Sequence, residues 1–205
     1  MEQALRAGMA IYNAGEFHAA HDAWEDSWLG LDRGTRDELL LHGLIQFTAA
    51  IHHATEKNAA GARGLAESAR EYLEGLKGYR GVNVAETRAY LGGLVADPTD
   101  IEPADAPGLT IEGVPPALDT AEFEVGAIAA RVLAEEYGYD EDLLESAIEY
   151  ARRNLADGEA TSPFVTLVLD FAQEEDHRGI VAQRLGEHVE RREAREADLE
   201  GLFET

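Results

Sequence analysis

The chain contains no cysteine, which removes disulfides, thiolate nucleophiles and cysteine-based zinc sites together. Lysine is nearly missing too: of 17 basic residues, only Lys57 and Lys77 are not arginine. No apolar run approaches the ~20 residues that span a bilayer. The opening Met-Glu-Gln-Ala-Leu-Arg-Ala lacks the basic and apolar regions of a signal peptide. These absences point to a soluble, cytoplasmic protein without a membrane partner. A basic face is also lacking: Arg152-Arg153 and Arg191-Arg192 sit among acids at helical spacing, so direct nucleic-acid binding is not expected. There is no Gly-rich phosphate loop, no Gly-x-Ser-x-Gly elbow and no His-Glu-x-x-His motif.

What is present in abundance is acid. The 41 Asp and Glu residues give a formal net charge of −24 over 205 residues. An acidic, lysine-poor surface is the composition of halophilic proteins. In molar salt the Debye length is ~3 Å and carboxylate repulsion is screened, whereas near 0.01 M it is ~30 Å and the same charge opposes compaction. Stability is therefore expected to rise with salt.

Apolar residues recur every three to four positions and no alternating strand pattern stands out, so the fold class is all-α. Helices are expected over Glu2 to Asn13 and Glu16 to Leu29. A third opens at a Thr35/Glu38 capping box and runs to about Glu56. Asn58 caps Ala59 to Leu76, and Asn83 with Glu86 opens Val84 to Ala96. Five of the six prolines fall between Asp97 and Ala117, an irregular stretch in which Leu109-Thr110-Ile111 reads as a short extended piece. Beyond it, helices are expected over about Asp119–Tyr137, Asp140–Asn154, Pro163–Phe171 and Asp176–Leu199. Ser162-Pro163 is a start signal, and Gly138 and Gly158 are stops. The organisation is a helical bundle of about five helices over 1–97, a Pro-rich connection over 98–117 and a smaller C-terminal helical extension over 118–205.

Glu16 to Trp28 hold both tryptophans, two of seven histidines and four carboxylates. At 100° per residue, Phe17, His21, Trp24 and Trp28 fall within about 60° of helix surface, a buried stripe with Glu25 on its edge. In the third, largely apolar helix, His42, Gln46, Ala49 and His53 form a narrow polar stripe. If the two helices are antiparallel neighbours, His21, Glu25, Gln46 and His53 converge. Such a set reads as a buried hydrogen-bond network that fixes helix register. It also reads as a divalent-metal site on His21, Glu25 and His53, or as a metal-free acid–base or ligand site. Glu174-x-x-His177 has the spacing of di-metal carboxylate bundles, but it occurs once and reads as a solvated turn. His188 reads as a surface residue.

Two motifs resemble those of a known family. Asn13-x-Gly15-Glu16-Phe17-x-x-x-His21-Asp22-x-Trp24-Glu25-x-x-Trp28 is similar to the "N-x-G-x-[FY]-[FY]-x-A-H-E-x-[WL]-E-x-x-W" hallmark of domain-of-unknown-function family 309. Gly43-Leu44-Ile45-Gln46, then Ala49, His53, Asn58, Gly61 and Ala62, resembles its "G-L-I-Q-x-A-x-A-x-x-H-x-x-x-G-N-x-x-G-A". Asp22 stands where the family has Glu, and Lys57 replaces the glycine before Asn58. The resemblance covers about Met1 to Ala96, with Gly81-Val82-Asn83 matching a family helix start. It implies a compact helical domain whose typical residues are His21, Trp24, Glu25, Trp28, Gln46, His53 and Asn58. It implies no enzymatic activity.

The functional expectation is a non-enzymatic scaffold or interaction module with a buried His/Glu/Gln network. The alternative is a metal- or small-ligand-binding bundle, extending to a metal-dependent hydrolase, that uses His21, Glu25 and His53 beside Trp24 and Trp28. An aromatic-rich helical face also suits a two-fold homodimer, unless the extension covers it.

Overall fold

A computed structural model of the chain describes residues 1–99 and 105–203. Among the described residues the protein is all-helical: α1 Glu2–Asn13, α2 Phe17–Leu29, α3 Arg36–Thr55, α4 Ala59–Tyr72, α5 Val84–Ala96, α6 Phe123–Glu136, α7 Glu141–Ala156, α8 Pro163–Gln173 and α9 Arg178–Phe203. Extended structure is confined to isolated bridges from Ile111 to Val82 and to Val114. Among the described residues no helix is long and apolar enough to cross a membrane. The chain forms two compact units, Met1–Ala121 and Glu122 onward.

Local side-chain chemistry sets four helix starts. Thr35 Oγ1 accepts from Glu38 N at 3.3 Å, Asn58 Oδ1 from Gly61 N at 3.1 Å, Asp140 Oδ1 from Leu143 N at 3.0 Å, and Ser162 Oγ from Val165 N at 3.3 Å. Each satisfies a first-turn donor that the helix itself leaves unpaired.

Asn83 departs from expectation, because its side chain caps nothing. Its amide donates to Glu86 Oε2 and to Gly108 O, and its Oδ1 accepts from Thr110 N at 2.9 Å. Asn13 acts alike: Oδ1 takes Leu109 N at 2.8 Å, and Nδ2 donates to Leu109 O and Pro116 O. Tyr12 Oη donates to Pro107 O at 3.0 Å. A proline-rich stretch has carbonyls in excess of backbone donors. Side-chain amides and a hydroxyl supply the difference and hold residues 107–116 against the end of α1 and the start of α5.

Other boundaries move by a few residues. Helix α4 stops at Tyr72 instead of Leu76, and Gly75, at φ 72, turns the chain while Leu73 and Leu76 stay buried. A 3-10 turn at Leu118–Thr120 and extended Ala121 and Glu122 delay α6 to Phe123. Another 3-10 turn, Glu175–His177, precedes α9.

In the first unit each helix packs on the next in sequence, α1 on α2 through α4 on α5. Leu5, Met9, Ile11, Trp24, Leu40, Leu41, Leu44, Phe47 and Ile51 are wholly buried. Two glycines admit large neighbours: a Cβ on Gly8 would overlap the Trp24 indole, and one on Gly43 would lie 2.5 Å from Leu73 Cγ. In the second unit α8 packs on α6, α7 and α9, burying Phe164, Val165, Val168 and Phe171. The charged face expected on α9 is present as Arg191–Glu187 and Arg192–Glu196 pairs. His188 is not a surface residue: it is half-buried against Phe164 at 5.9 Å, and burial holds its pKa below the usual histidine value.

Candidate functional site

The buried face of α2 is Ala19, Ala20, Ala23 and Trp24, rotated from the expected aromatic stripe. Small side chains let the flanking helices approach, so the alanines take the centre and Phe17, His21 and Trp28 are left half-buried at its margins. Of the expected stripe, Trp24 alone is fully enclosed. Its Nε1 donates to Leu5 O at 3.3 Å, over the gap left by Gly8.

One turn on, Trp28 Nε1 donates to Glu38 Oε1 at 3.0 Å. Glu38 is only 6% exposed and also receives Gly34 N at 3.0 Å and His42 Nδ1 at 3.2 Å. An ionised carboxylate only accepts, so His42 carries its proton on Nδ1 in this contact. Burial pushes the Glu38 pKa up. The hydrogen bonds from Trp28, Gly34 and His42 outweigh it and hold the group below its ordinary value. The His42 ring stacks on Tyr72 at 3.7 Å and meets Trp28 at 4.6 Å. The capping-box pattern gives Glu38 its place at the third helical position, but its partners across the α2–α3 loop leave no local signal in the sequence.

Beside it, Asp37 takes two bonds from Arg80, at 2.6 and 2.7 Å, and one from Tyr79 Oη at 2.7 Å. The bond from Arg80 is the largest influence and keeps the Asp37 carboxyl below its usual range.

His53 turns towards the α3–α4 junction. Its Nδ1 meets Asn58 Nδ2 at 2.8 Å, and a Cβ on Gly61 would lie 2.6 Å from that nitrogen. Gln46 is half-buried. Among the described residues no hydrogen bond or ion pair joins Gln46 or His53 to His21 or Glu25, so these four do not form the expected network. An asparagine five residues on is simply nearer to His53 than any group on α2.

His21 and Glu25 are adjacent, with Nε2 and Oε2 3.9 Å apart, and 31% and 46% of their side chains exposed. Asp22 joins them: one ligand atom from each of His21, Asp22 and Glu25 lies within 4.8 Å of the others. Imidazole with two carboxylates suits zinc, manganese or iron. Asp22 thus holds the place that sequence reasoning gave to His53. Glu174 and His177 pair at 2.9 Å on an exposed turn, as expected of a solvated connection.

A protein of Aquifex aeolicus (strain VF5) described as "Uncharacterized protein" is 31% identical over 88 residues. The match covers 42% of this chain and 26% of that relative, so the chain spans about a quarter of its length. Residues 5–65, which contain both motifs and the Trp24, Glu38 and His53 clusters, match the family described as Domain of unknown function (DUF309).

Proposed function

We propose that the first unit is a non-enzymatic helical scaffold or interaction module in which the motif residues serve packing. One observation carries this reading: the polar atoms of Trp24, Trp28, His53 and Asn58 are committed within the unit. Trp24 Nε1 is held by Leu5 O, Trp28 Nε1 by Glu38, His53 by Asn58, and Asn58 by Gly61 N. Groups used in this way fix helix register and turn geometry. The strong negative charge supports a partner other than nucleic acid, and a cytoplasmic setting fits the absence of cysteine. A two-fold homodimer is the simplest assembly for such a module, and light scattering at two concentrations reads it.

A second reading is favoured by the close approach of His21, Asp22 and Glu25: a divalent cation held on α2, with the remaining coordination positions open for water or substrate. Metal analysis of protein purified without an affinity tag separates the two. The scaffold reading expects no stoichiometric metal and a stability loss in Asn58→Ala and Trp24→Phe. Metal bound at one equivalent and lost in both His21→Ala and Glu25→Gln would overturn it in favour of the cation site.

A further inference from the structure

Two histidines on neighbouring helices meet at the surface of the first unit. His18 lies in the first turn of α2 and His52 in the last turn of α3, and α2 packs on α3. Their rings stand 6.4 Å apart, centre to centre, tilted by 58°. Asp22 follows His18 by one turn, and its Oδ2 lies 3.6 Å from His18 Nδ1. Both histidines are exposed, and neither is among the residues that match the two motifs. Among the described residues His52 makes no hydrogen bond or ion pair, so both of its nitrogens are available to a ligand. His53, beside it at 6.1 Å, is instead committed to Asn58.

The spacing of the two rings suits a shared ion. A point midway between them is about 3.2 Å from each centre, so a nitrogen turned towards it lies about 2 Å away, the zinc–imidazole length. The outer torsion of a histidine side chain is broad, so an exposed ring turns a nitrogen inward at little cost. A tetrahedral arrangement brings the rings closer by roughly 1 Å, a small movement for two side chains that nothing encloses. Asp22 supplies an oxygen ligand from the same side. Two imidazoles and a carboxylate favour zinc over magnesium or calcium, which take oxygen ligands. The net charge of −24 also raises the local concentration of cations. We propose that His18, Asp22 and His52 form a zinc-binding clip that ties the start of α2 to the end of α3 and leaves the fourth position to water. The clip shares only Asp22 with the His21–Asp22–Glu25 approach, and it rests on neither reading of the first unit. A three-ligand site open to solvent exchanges its ion, so it is filled by titration and need not retain metal through purification.

The test is calorimetric titration of the full, tag-free, metal-stripped chain with zinc chloride at neutral pH, where imidazole is largely unprotonated. The parent is expected to bind one equivalent. Binding should weaken about tenfold or more in both His18→Ala and His52→Ala, and stay undiminished in His21→Ala and Glu25→Gln. Alanine at either exposed histidine leaves the core untouched, and circular dichroism verifies the fold. Asp22→Asn keeps the shape and loses the charge, and is expected to weaken binding as well. Zinc should also raise the melting temperature of the parent and of His21→Ala more than that of His52→Ala. Loss confined to His21→Ala and Glu25→Gln would overturn the clip and support the cation site on α2 instead. The clip is equally overturned by a parent that shows no saturable zinc binding, or by unchanged binding in either His18→Ala or His52→Ala.

Discussion

His53 Nδ1 and Asn58 Nδ2 lie 2.8 Å apart, closing the turn between α3 and α4 around Lys57, whose φ is 58°. A residue with a Cβ in the left-handed region is strained by roughly 1–2 kcal/mol, and glycine avoids that cost. The family motif has glycine at this position, and here the turn is kept with lysine in it. Lys57→Gly is expected to raise stability by about 0.5–1 kcal/mol, because part of the relieved strain is offset by the freer unfolded chain. Urea unfolding reads it as a higher midpoint at unchanged slope. A lower midpoint would mean that the turn carries no strain at Lys57.

Asn58 serves two partners at once, His53 through its amide nitrogen and Gly61 N through its oxygen. Asn58→Ala should cost about 1 kcal/mol, the usual worth of an N-cap. His53→Ala should cost less in the Asn58→Ala background than alone, with a coupling of about 0.5–1 kcal/mol in a double-mutant cycle. Strict additivity would show that the contact contributes nothing.

Glu38 gathers donors from Trp28, Gly34 and His42 at one buried carboxylate. Glutamine at this position keeps one oxygen and turns the other acceptor into a donor facing donors, so Glu38→Gln should destabilise by about 1–3 kcal/mol. The pH dependence has a definite sign. Burial raises the Glu38 pKa, but the donated bonds lower it further, so the folded value lies below the unfolded one. The carboxylate then contributes stability above the unfolded-state value, and that contribution is lost as pH falls through the folded value. Melting temperatures taken from pH 7 to pH 3 should fall less steeply for Glu38→Gln than for the parent chain. Parallel curves would remove Glu38 as a source of acid sensitivity.

These clusters mark where sequence reasoning works and where it stops. Thr35, Asn58, Asp140 and Ser162 were legible as helix starts because a cap is a local bond, made within three residues. Helical phasing placed Trp24 inside, but it could not say that alanines would hold the centre of the α2 face. It also could not choose partners: His53 shares a stripe with Gln46, yet bonds to Asn58 on its own turn. Asn13 and Asn83 were read for their helix-end positions, while their amides serve a loop more than 20 residues away in sequence. Nothing local encodes that distance. His21 and Glu25 were expected to converge, and Asp22, which was not among the expected ligands, joins them because side chains one and three residues apart still meet at their tips.

The net charge of −24 makes a prediction independent of any site. Most ion pairs here are exposed, such as Arg152–Glu124 and Arg191–Glu187, and salt weakens what little they contribute. Set against that loss is the mutual repulsion of acids that outnumber bases by more than two to one. Repulsion acts over the whole surface, and its range shrinks from ~30 Å at 0.01 M to ~3 Å at 1 M. The paired contacts are few and short, so screening should favour the folded state on balance. Melting temperature is therefore expected to climb steadily between 0.01 M and molar KCl, a salt chosen over sulfate because sulfate stabilises folded proteins generally by exclusion. Replacing exposed Glu135, Glu141 and Glu190 by glutamine should flatten that rise while raising stability at low salt. A melting temperature that ignores KCl would show that the acidic surface is already relieved within the fold, by pairing that leaves too little repulsion to screen.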